Sequence, residues 1–488
     1  MNAGNGSAMA RFLVSAAHKS SGKTTLSIGL AAALRRRGHV VQPFKKGPDY
    51  IDPIWLARAA GRPCSNLDFF LSPNDELVSA FHRRGHDADT CMVEGNKGLY
   101  DGLDLHGSNS NAALARLLDL PVVLVLDARG MTRGIAPLIL GYQAFDPALR
   151  IAGVILNKLG GRRHEAKLRA VIEHYTDVPV LGAVQADTRL QLVERHLGLM
   201  PANESADADA RIAAIADAVA EQVDLDALLA LTRAEAPLPM PAPLPVASAT
   251  PRLRIAVARD RAFGFYYADD LDALTRAGAD LVFFDTLHDA HLPACDGLLI
   301  GGGFPESFLP ELAANASLRS EIATAIANGL PTYAECGGLM YLASTIRDLG
   351  GKRFDMVGAI SGHVSMQAKP VGRGYVVLEP TPAHPWREDC LDSAAADSAF
   401  RANLPPLKAH EFHYSLLHDL PAETRYAYTV KRGHGIDGDH DGIVVGNLLA
   451  SYTHLRATMG CDWPAKFLAS IRRCQRATIN KETIACLP

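Results

Sequence analysis

The sequence predicts two α/β domains in tandem, the first of them a doubly wound parallel sheet. Three observations carry this. Short apolar runs alternate with helix-spaced segments through the first half of the chain, a proline-dense stretch interrupts the middle, and the same alternation restarts beyond it. Continuous apolar runs of this length are what strands buried on both faces of a parallel sheet look like, and helices between them give the doubly wound arrangement.

The elements follow in order. Phe12 to Ala16 reads as a strand, and Lys23 to Arg37 has the apolar spacing of a helix. Val40 to Phe44, Thr90 to Glu94, Pro121 to Asp127 and Ile151 to Asn157 are further strands. Residues 234–251, AEAPLPMPAPLPVASATP, carry prolines at 237, 239, 241, 243, 245 and 251. That density excludes helix and central strand and stiffens a spacer. The expected domains are therefore 11–233 and 252–488, joined by a linker over 234–251. In the second, Leu253 to Ala258, Leu281 to Phe284, Gly297 to Ile300 and Pro331 to Ala334 read as strands, with helices over Asp269 to Ala277 and Leu318 to Asn328. After about residue 355 the pattern becomes β-like.

Composition bounds the chemistry. In 488 residues, 48% are hydrophobic and 21% charged, enough for more than one core. Lys+Arg is 49 and Asp+Glu is 53, a net charge of -4 that lends no support to a dedicated nucleic-acid binder. The longest apolar run, Leu120 to Ala128, is strand-sized, so no membrane span is expected. The N-terminus lacks an apolar signal region, and the eight cysteines form no C-x-x-C pair. A cytoplasmic chain with reduced thiols is the expectation, with Cys295 and Cys390 as structural cysteines.

Two segments carry chemistry. The first strand runs into Ala17-His18-Lys19-Ser20-Ser21-Gly22-Lys23-Thr24-Thr25 and then a helix, so the G-K-[ST] end of a phosphate loop is present while its first glycine is replaced by Ala17. Gly22 admits a phosphate to the backbone, Lys23 supplies charge to it, and the Thr24 hydroxyl can ligate Mg²⁺. Asp49, Asp52, Glu94 and Asp101 follow the second and third strands. That is the edge where doubly wound sheets bind ligands. Singly, each carboxylate is as readily a loop or helix cap; together with Lys23 and Thr24 they read as a phosphate and metal site, Asp49 and Glu94 being the chosen ligands.

In the second domain, PTYAECGGLMYL (331–342) puts Cys336 at a sharp turn between a strand and a helix opened by two glycines. That is the mechanical form of a nucleophile elbow, and a helix N-terminus favours thiolate. Gly302 and Gly303 follow the preceding strand as candidate oxyanion-hole donors, and His454 in ASYTHL is the candidate base. His410, Glu411 and His413 lack the H-E-x-x-H spacing and are read as structural or gating residues.

These segments together resemble the cobyrinic acid a,c-diamide synthase family over nearly the whole chain. The carrying motifs are GKTT (22–25), QPFKKGPDYIDP (42–53), NLD (66–68), EGNKGLYDG (94–102), AECGGLMYL (334–342), HEFHYS (410–415) and SYTHL (451–455), in order across both domains. The resemblance implies an N-terminal ATP-dependent synthetase domain similar to dethiobiotin synthetase and a C-terminal class I glutamine amidotransferase-like domain. It implies ATP and Mg²⁺ as cofactors, glutamine as nitrogen donor, and acetate side chains of a tetrapyrrole as acceptors. Gly22, Lys23, Thr24 and Thr25 would hold phosphates, Thr24, Asp49 and Glu94 the metal, Tyr50 and Asp101 the substrate, and Asn157 the adenine. Homodimer formation is compatible with the sequence without being dictated by it.

The chain also departs from the family. Lys19 and Ser20 stand where a serine and a glycine are usual, Asn96-Lys97 where apolar residues are usual, and GSNSNAALA (107–115) replaces a Gly-Ser-Thr-Ala type loop. Cobyrinate or hydrogenobyrinate is the expected substrate, with sirohydrochlorin or siroheme as the alternative; a non-catalytic P-loop scaffold ATPase is the reading from another class. His454 is followed by Leu455 and Arg456, without the glutamate two positions on that completes many class I triads.

Overall fold

The computed structural model describes residues 9–195, 198–241, 244, 251–386 and 406–485. The expected structural role of Cys390 and most of the linker beyond 241 lie outside these residues. The chain divides into two compact units, Met1–Pro243 and Leu244–Pro488.

In the first unit the strands are β1 (Ala10–Ala16), β2 (Val41–Lys46), β3 (Ser65–Leu67), β4 (Thr90–Glu94), β5 (Val122–Asp127), β6 (Ile151–Leu159) and β7 (Val180–Gln185). They form one parallel sheet in the order β3-β2-β4-β1-β5-β6-β7. Its faces are both covered, which is why strands such as β5 and β6 carry continuous apolar runs. One face packs on helices through Leu26, Leu30, Trp55, Ile212, Ile215 and Val219, the other through Leu77, Phe81, Leu114, Ile139, Leu168 and Ile172.

The chain leaves β1, works outward through β2 and β3, returns through β4, and only then builds the other half. The topological switch thus lies at β1, and a ligand crevice is expected at the carboxyl ends of its neighbours. Register fixes which residues meet there, since Glu94 of β4 pairs with Val14 of β1 and with Lys45 of β2.

Part of the expected linker packs instead of hanging free. Leu238 is buried in the first unit's core, and the Ala234 amide bonds the Met9 carbonyl.

The second unit contains a nine-stranded mixed sheet. Five strands run parallel, Ala279–Phe284, Leu253–Ala258, Gly297–Ile300, Thr332–Glu335 and Leu448–Ser451, side by side in that order. Antiparallel strands His440–Val445, Arg425–Arg432, Gly372–Pro380 and Leu407–His413 extend it. The β-like texture after residue 355 is this extension together with a second, four-stranded sheet. Among the described residues no helix is long and apolar enough to cross a membrane.

Candidate functional site

The phosphate loop leaves β1 and enters α1 (Lys23–Arg36) through Gly22, whose φ is +91°. Only glycine adopts that conformation without strain. The space is also closed to a side chain, because a Cβ there would lie 2.2 Å from Asn157 Nδ2. Asn157 in turn donates to the Ser21 carbonyl at 2.8 Å. The residue expected to read adenine therefore braces the phosphate loop from behind.

Lys23, Thr24 and Thr25 are the first three residues of α1. Thr24 Oγ1 donates to Glu94 Oε1 at 2.6 Å and lies 3.3 Å from Asp52 Oδ2. Lys23 is buried and donates to the Lys97 carbonyl at 2.5 Å. Burial pulls its ammonium down to about 8, against the opposing attraction of Glu94. Lys97 itself sits at φ +40°, on a loop whose base abuts Ala17.

The centre of the acidic cluster is Lys45, a residue the sequence showed only as part of a motif. Its Nζ bonds Asp52, lies 2.8 Å from Glu94 Oε1, and is 3.7 Å from Asp49 Oδ2. Burial works against its charge, but the carboxylates outweigh it and hold Lys45 protonated well above the usual lysine range. Three carboxylates nevertheless share one fully engaged ammonium. Burial and the neighbouring Asp52 push Asp49 up to about 7, and burial also raises Glu94.

Glu94 is wholly buried, and its Oε2 has no hydrogen-bond partner. A buried carboxylate oxygen left orphaned is costly, and a divalent cation would satisfy it. Among the described residues no three His, Cys, Asp or Glu side chains form a metal cage by themselves. Mg²⁺ does not require one, because it takes one or two carboxylates with waters and phosphate oxygens. Thr24, Glu94 and Asp52 fit that requirement. Asp49 is less free than expected, since its Oδ1 accepts the backbone amides of Ile51 and Asp52 at the start of helix Ile51–Ala60.

The two expected substrate residues flank this cluster. Tyr50 is buried just before that helix. Asp101 is exposed and accepts the Gly98 amide at 2.9 Å. The departures at 96–97 and 107–115 meet in one contact set. Buried Asn111 accepts the Asn96 amide at 3.2 Å and donates to the carbonyls of Asn96 and Gly98. It fastens the loop that carries Lys97 over the phosphate loop.

In the second unit Cys336 ends strand Thr332–Glu335 with φ 49° and ψ −103°, before helix Gly337–Leu342. Such a conformation is strained for a residue with a Cβ and is held by its surroundings. The Cys336 amide donates to the Ser451 carbonyl at 2.7 Å, which places the candidate nucleophile beside the segment carrying His454. The Cys336 thiol itself points to the Phe412 carbonyl at 3.7 Å, and the His454 imidazole is buried. Burial disfavours its proton, but Cys336 and Glu335 prevail and raise it to about 10.

Gly302 lies against the same ring, where a Cβ would be 2.6 Å from His454 Cε1. The Gly303 amide nitrogen is 3.1 Å from the place a Cβ on Gly337 would occupy. The glycine pair, the thiol and the imidazole thus converge.

Glu335 was missed by the sequence reading. Its Oε2 is 3.4 Å from His454 Nδ1. The usual rule searches after the histidine, whereas this carboxylate precedes the cysteine.

The HEFHYS segment has a supporting place. His410 and His454 form a backbone bridge with their rings stacked at 5.0 Å, and Glu411 accepts the amides of His434 and Gly435 at 2.7 and 2.8 Å.

Comparison with known proteins identifies the two domains and the family. Residues 13–199 match a CobQ/CobB/MinD/ParA nucleotide binding domain, and residues 254–459 a CobB/CobQ-like glutamine amidotransferase domain. The chain is 43% identical to the cobyrinate a,c-diamide synthase of Magnetococcus marinus, over 95% of this chain and 97% of that one. It is 42% identical to that of Methanosarcina acetivorans over 91% and 92%. It is 38% identical to that of Listeria innocua over 92% and 96%. A nucleotide-binding domain and a glutamine amidotransferase domain in one chain, alike over more than nine-tenths of its length to such relatives, make this protein a member of the cobyrinate a,c-diamide synthase family, carbon–nitrogen ligases with glutamine as amido donor.

Proposed function

We propose that the protein amidates the a and c acetate side chains of cobyrinate or hydrogenobyrinate, using ATP and ammonia released from glutamine. In the glutaminase half, Cys336 Sγ attacks the carboxamide carbon of glutamine. The C–N bond breaks, His454 gives its proton to the leaving ammonia, and a γ-glutamyl thioester remains. Water then cleaves the thioester to glutamate and restores the thiol. Gly302 and Gly303 are assigned to the developing oxyanion.

In the synthetase half, a side-chain carboxylate oxygen attacks the γ-phosphorus of ATP and ADP leaves. Ammonia attacks the resulting acyl phosphate at carbon, and inorganic phosphate departs. Activation is needed because a carboxylate has no leaving group. Mg²⁺, held by Thr24, Glu94 and Asp52 or Asp49, would neutralise charge on the transferring phosphate. Gly22, Lys23, Thr24 and Thr25 bind the phosphates, and Asn157 sets the loop and the edge next to adenine. Tyr50 and Asp101 face the macrocycle. In the same loop as Asp101, Leu103 is 56% and Leu105 95% exposed, apolar surface suited to a macrocycle face.

The observation that carries this reading is the acid-rich cluster around Thr24 and Glu94, with its unsatisfied Glu94 oxygen, beside a phosphate loop. Product mass spectrometry tests it. The protein is incubated with ATP, Mg²⁺ and glutamine against cobyrinate, hydrogenobyrinate, sirohydrochlorin and siroheme in parallel. Two carboxyl-to-amide conversions on a corrin are expected. Product on sirohydrochlorin or siroheme alone would overturn the substrate assignment and make the 96–97 and 107–112 departures its determinants.

A further inference from the structure

We propose that Glu335 is the residue that orients His454 and holds its proton, so that the glutaminase site is a triad whose acid directly precedes its nucleophile.

The strand that ends in the nucleophile would ordinarily defeat such an arrangement. Successive side chains of a strand point to opposite faces, so residues 335 and 336 should not address one ring. The positive φ of Cys336 breaks that alternation at the last position. Cys336 turns out of the strand's alternation toward the Phe412 carbonyl, while Glu335, still in the strand, faces Nδ1 at 3.4 Å. The strain of the elbow thereby serves two side chains.

The carboxylate is fixed from its other oxygen. Glu335 Oε1 accepts the Leu455 backbone amide at 2.9 Å and the Tyr333 hydroxyl. Leu455 follows His454, so one carboxylate holds both the ring and the backbone behind it. Tyr333 is two residues back on the same strand face, fully buried against Trp386, Trp463 and Phe467. A wall of large rings therefore stands behind the acid, and its oxygen has little freedom to leave the histidine.

Other charged and titratable groups nearby do not take this role. His410 stacks on the His454 ring and is kept neutral by burial and by its cationic neighbours. Arg456 pairs with Asp269 at 3.2 Å. Asp270 accepts the Ala457 amide and the Trp463 indole. Asp441 accepts the amides of Tyr452 and Thr453 and shapes the segment without reaching the ring. Cys336 is the nucleophile itself.

Chemically, Glu335 keeps Nδ1 protonated and so leaves Nε2 to exchange a proton with sulfur and with departing ammonia. No bond is made to Glu335 in any step; it acts through His454 as a positioning residue.

The test is glutamate release from glutamine by the full-length protein across pH, for the parent, Glu335→Gln and Glu335→Asp. Glutamine keeps the size but loses the charge. We expect kcat to fall by about 100-fold or more, within the range of general acid–base effects, while KM for glutamine stays within about threefold. The alkaline limb of the profile, where His454 loses its proton, should move to lower pH, because a negative charge beside the ring has gone. Glu335→Asp keeps the charge but withdraws it by one methylene, and should lose about tenfold with a smaller displacement of the limb. Circular dichroism melts check folding. A folded Glu335→Gln that releases glutamate within about threefold of the parent, with an unmoved limb, overturns the proposal. Should Glu335→Gln fail to fold, unchanged kcat and an unmoved limb in Glu335→Asp would overturn it equally.

Discussion

At the scale of single residues, strain and burial mark the two chemistries. Among the described residues only six non-glycine positions have positive φ, and three of them, Ser20, Lys97 and Cys336, lie in the phosphate loop, over it, or at the nucleophile. Such conformations persist where the surroundings over-determine them. Lys23 shows what burial achieves. With its ammonium taken out of water and its value drawn down to about 8, it stands partly deprotonated near that pH. A phosphate anion beside it would favour the charged form and raise that value again. Binding a nucleotide at pH 8 should therefore take up about half a proton at Lys23. Calorimetric titration in buffers of different ionisation enthalpy measures the uptake directly. Lys23→Met should remove that contribution and weaken binding. Binding with no uptake at pH 8 would contradict the placement of Lys23 on the phosphates.

At the scale of elements, the glycine-containing strand ends do the positioning. Gly302 and Gly303 pair with Phe265 and Phe263 across a short antiparallel contact, which leaves the pair pressed against the His454 ring. Gly302→Ala would insert a methyl group 2.6 Å from His454 Cε1. The ring must rotate away from Cys336, so glutamate release should fall at least tenfold while thermal stability changes little, a displaced catalytic group being costlier than its packing. Wild-type turnover in that variant would show that the ring has room and that the glycine pair does not bound the site. The same elements show what a sequence discloses. Strands Thr90–Glu94, Leu253–Ala258 and Gly297–Ile300 were legible to the residue, because apolar runs end where a polar loop begins. Gly22, Lys23, Thr24, Cys336 and His454 stood out as candidates because the chemistry proposed for them rests on local spacing. Lys45 did not, because its role depends on a cross-strand register that sets it beside Glu94, and register between β2 and β4 is a non-local fact. Glu335 was hidden for a related reason: strand alternation would place it on the wrong face, and only the φ of its neighbour corrects that. Asn111 was noticed as a departure, yet its work of fastening residues 96 and 98 appears only once the loop is closed.

At the scale of the whole molecule, the residues proposed for each half-reaction fall within one compact unit. The acidic cluster, Lys23 and Asn157 all belong to the first unit, and Cys336, His454 and Glu335 all to the second. Because the proposed groups divide between the units in this way, the two proposed activities should separate under mutation. Cys336→Ala removes the nucleophile and should abolish glutamine-driven amidation, while ammonium salts still support synthesis because the ATP site is intact. A scaffold ATPase would be indifferent to that change. Glu94→Gln is the reciprocal case. It removes the charge that Thr24 and Lys45 face and the oxygen left for a metal. ATP-dependent amidation should be lost with either nitrogen source, and glutamate release measured without the macrocycle should stay within about threefold, since effects on groups that share no partner are usually independent. Both assays on both variants give four numbers. Parallel loss of the two activities in Glu94→Gln, with folding intact by circular dichroism, would mean that the units are coupled in catalysis and that the division of labour drawn from their separate residues is wrong.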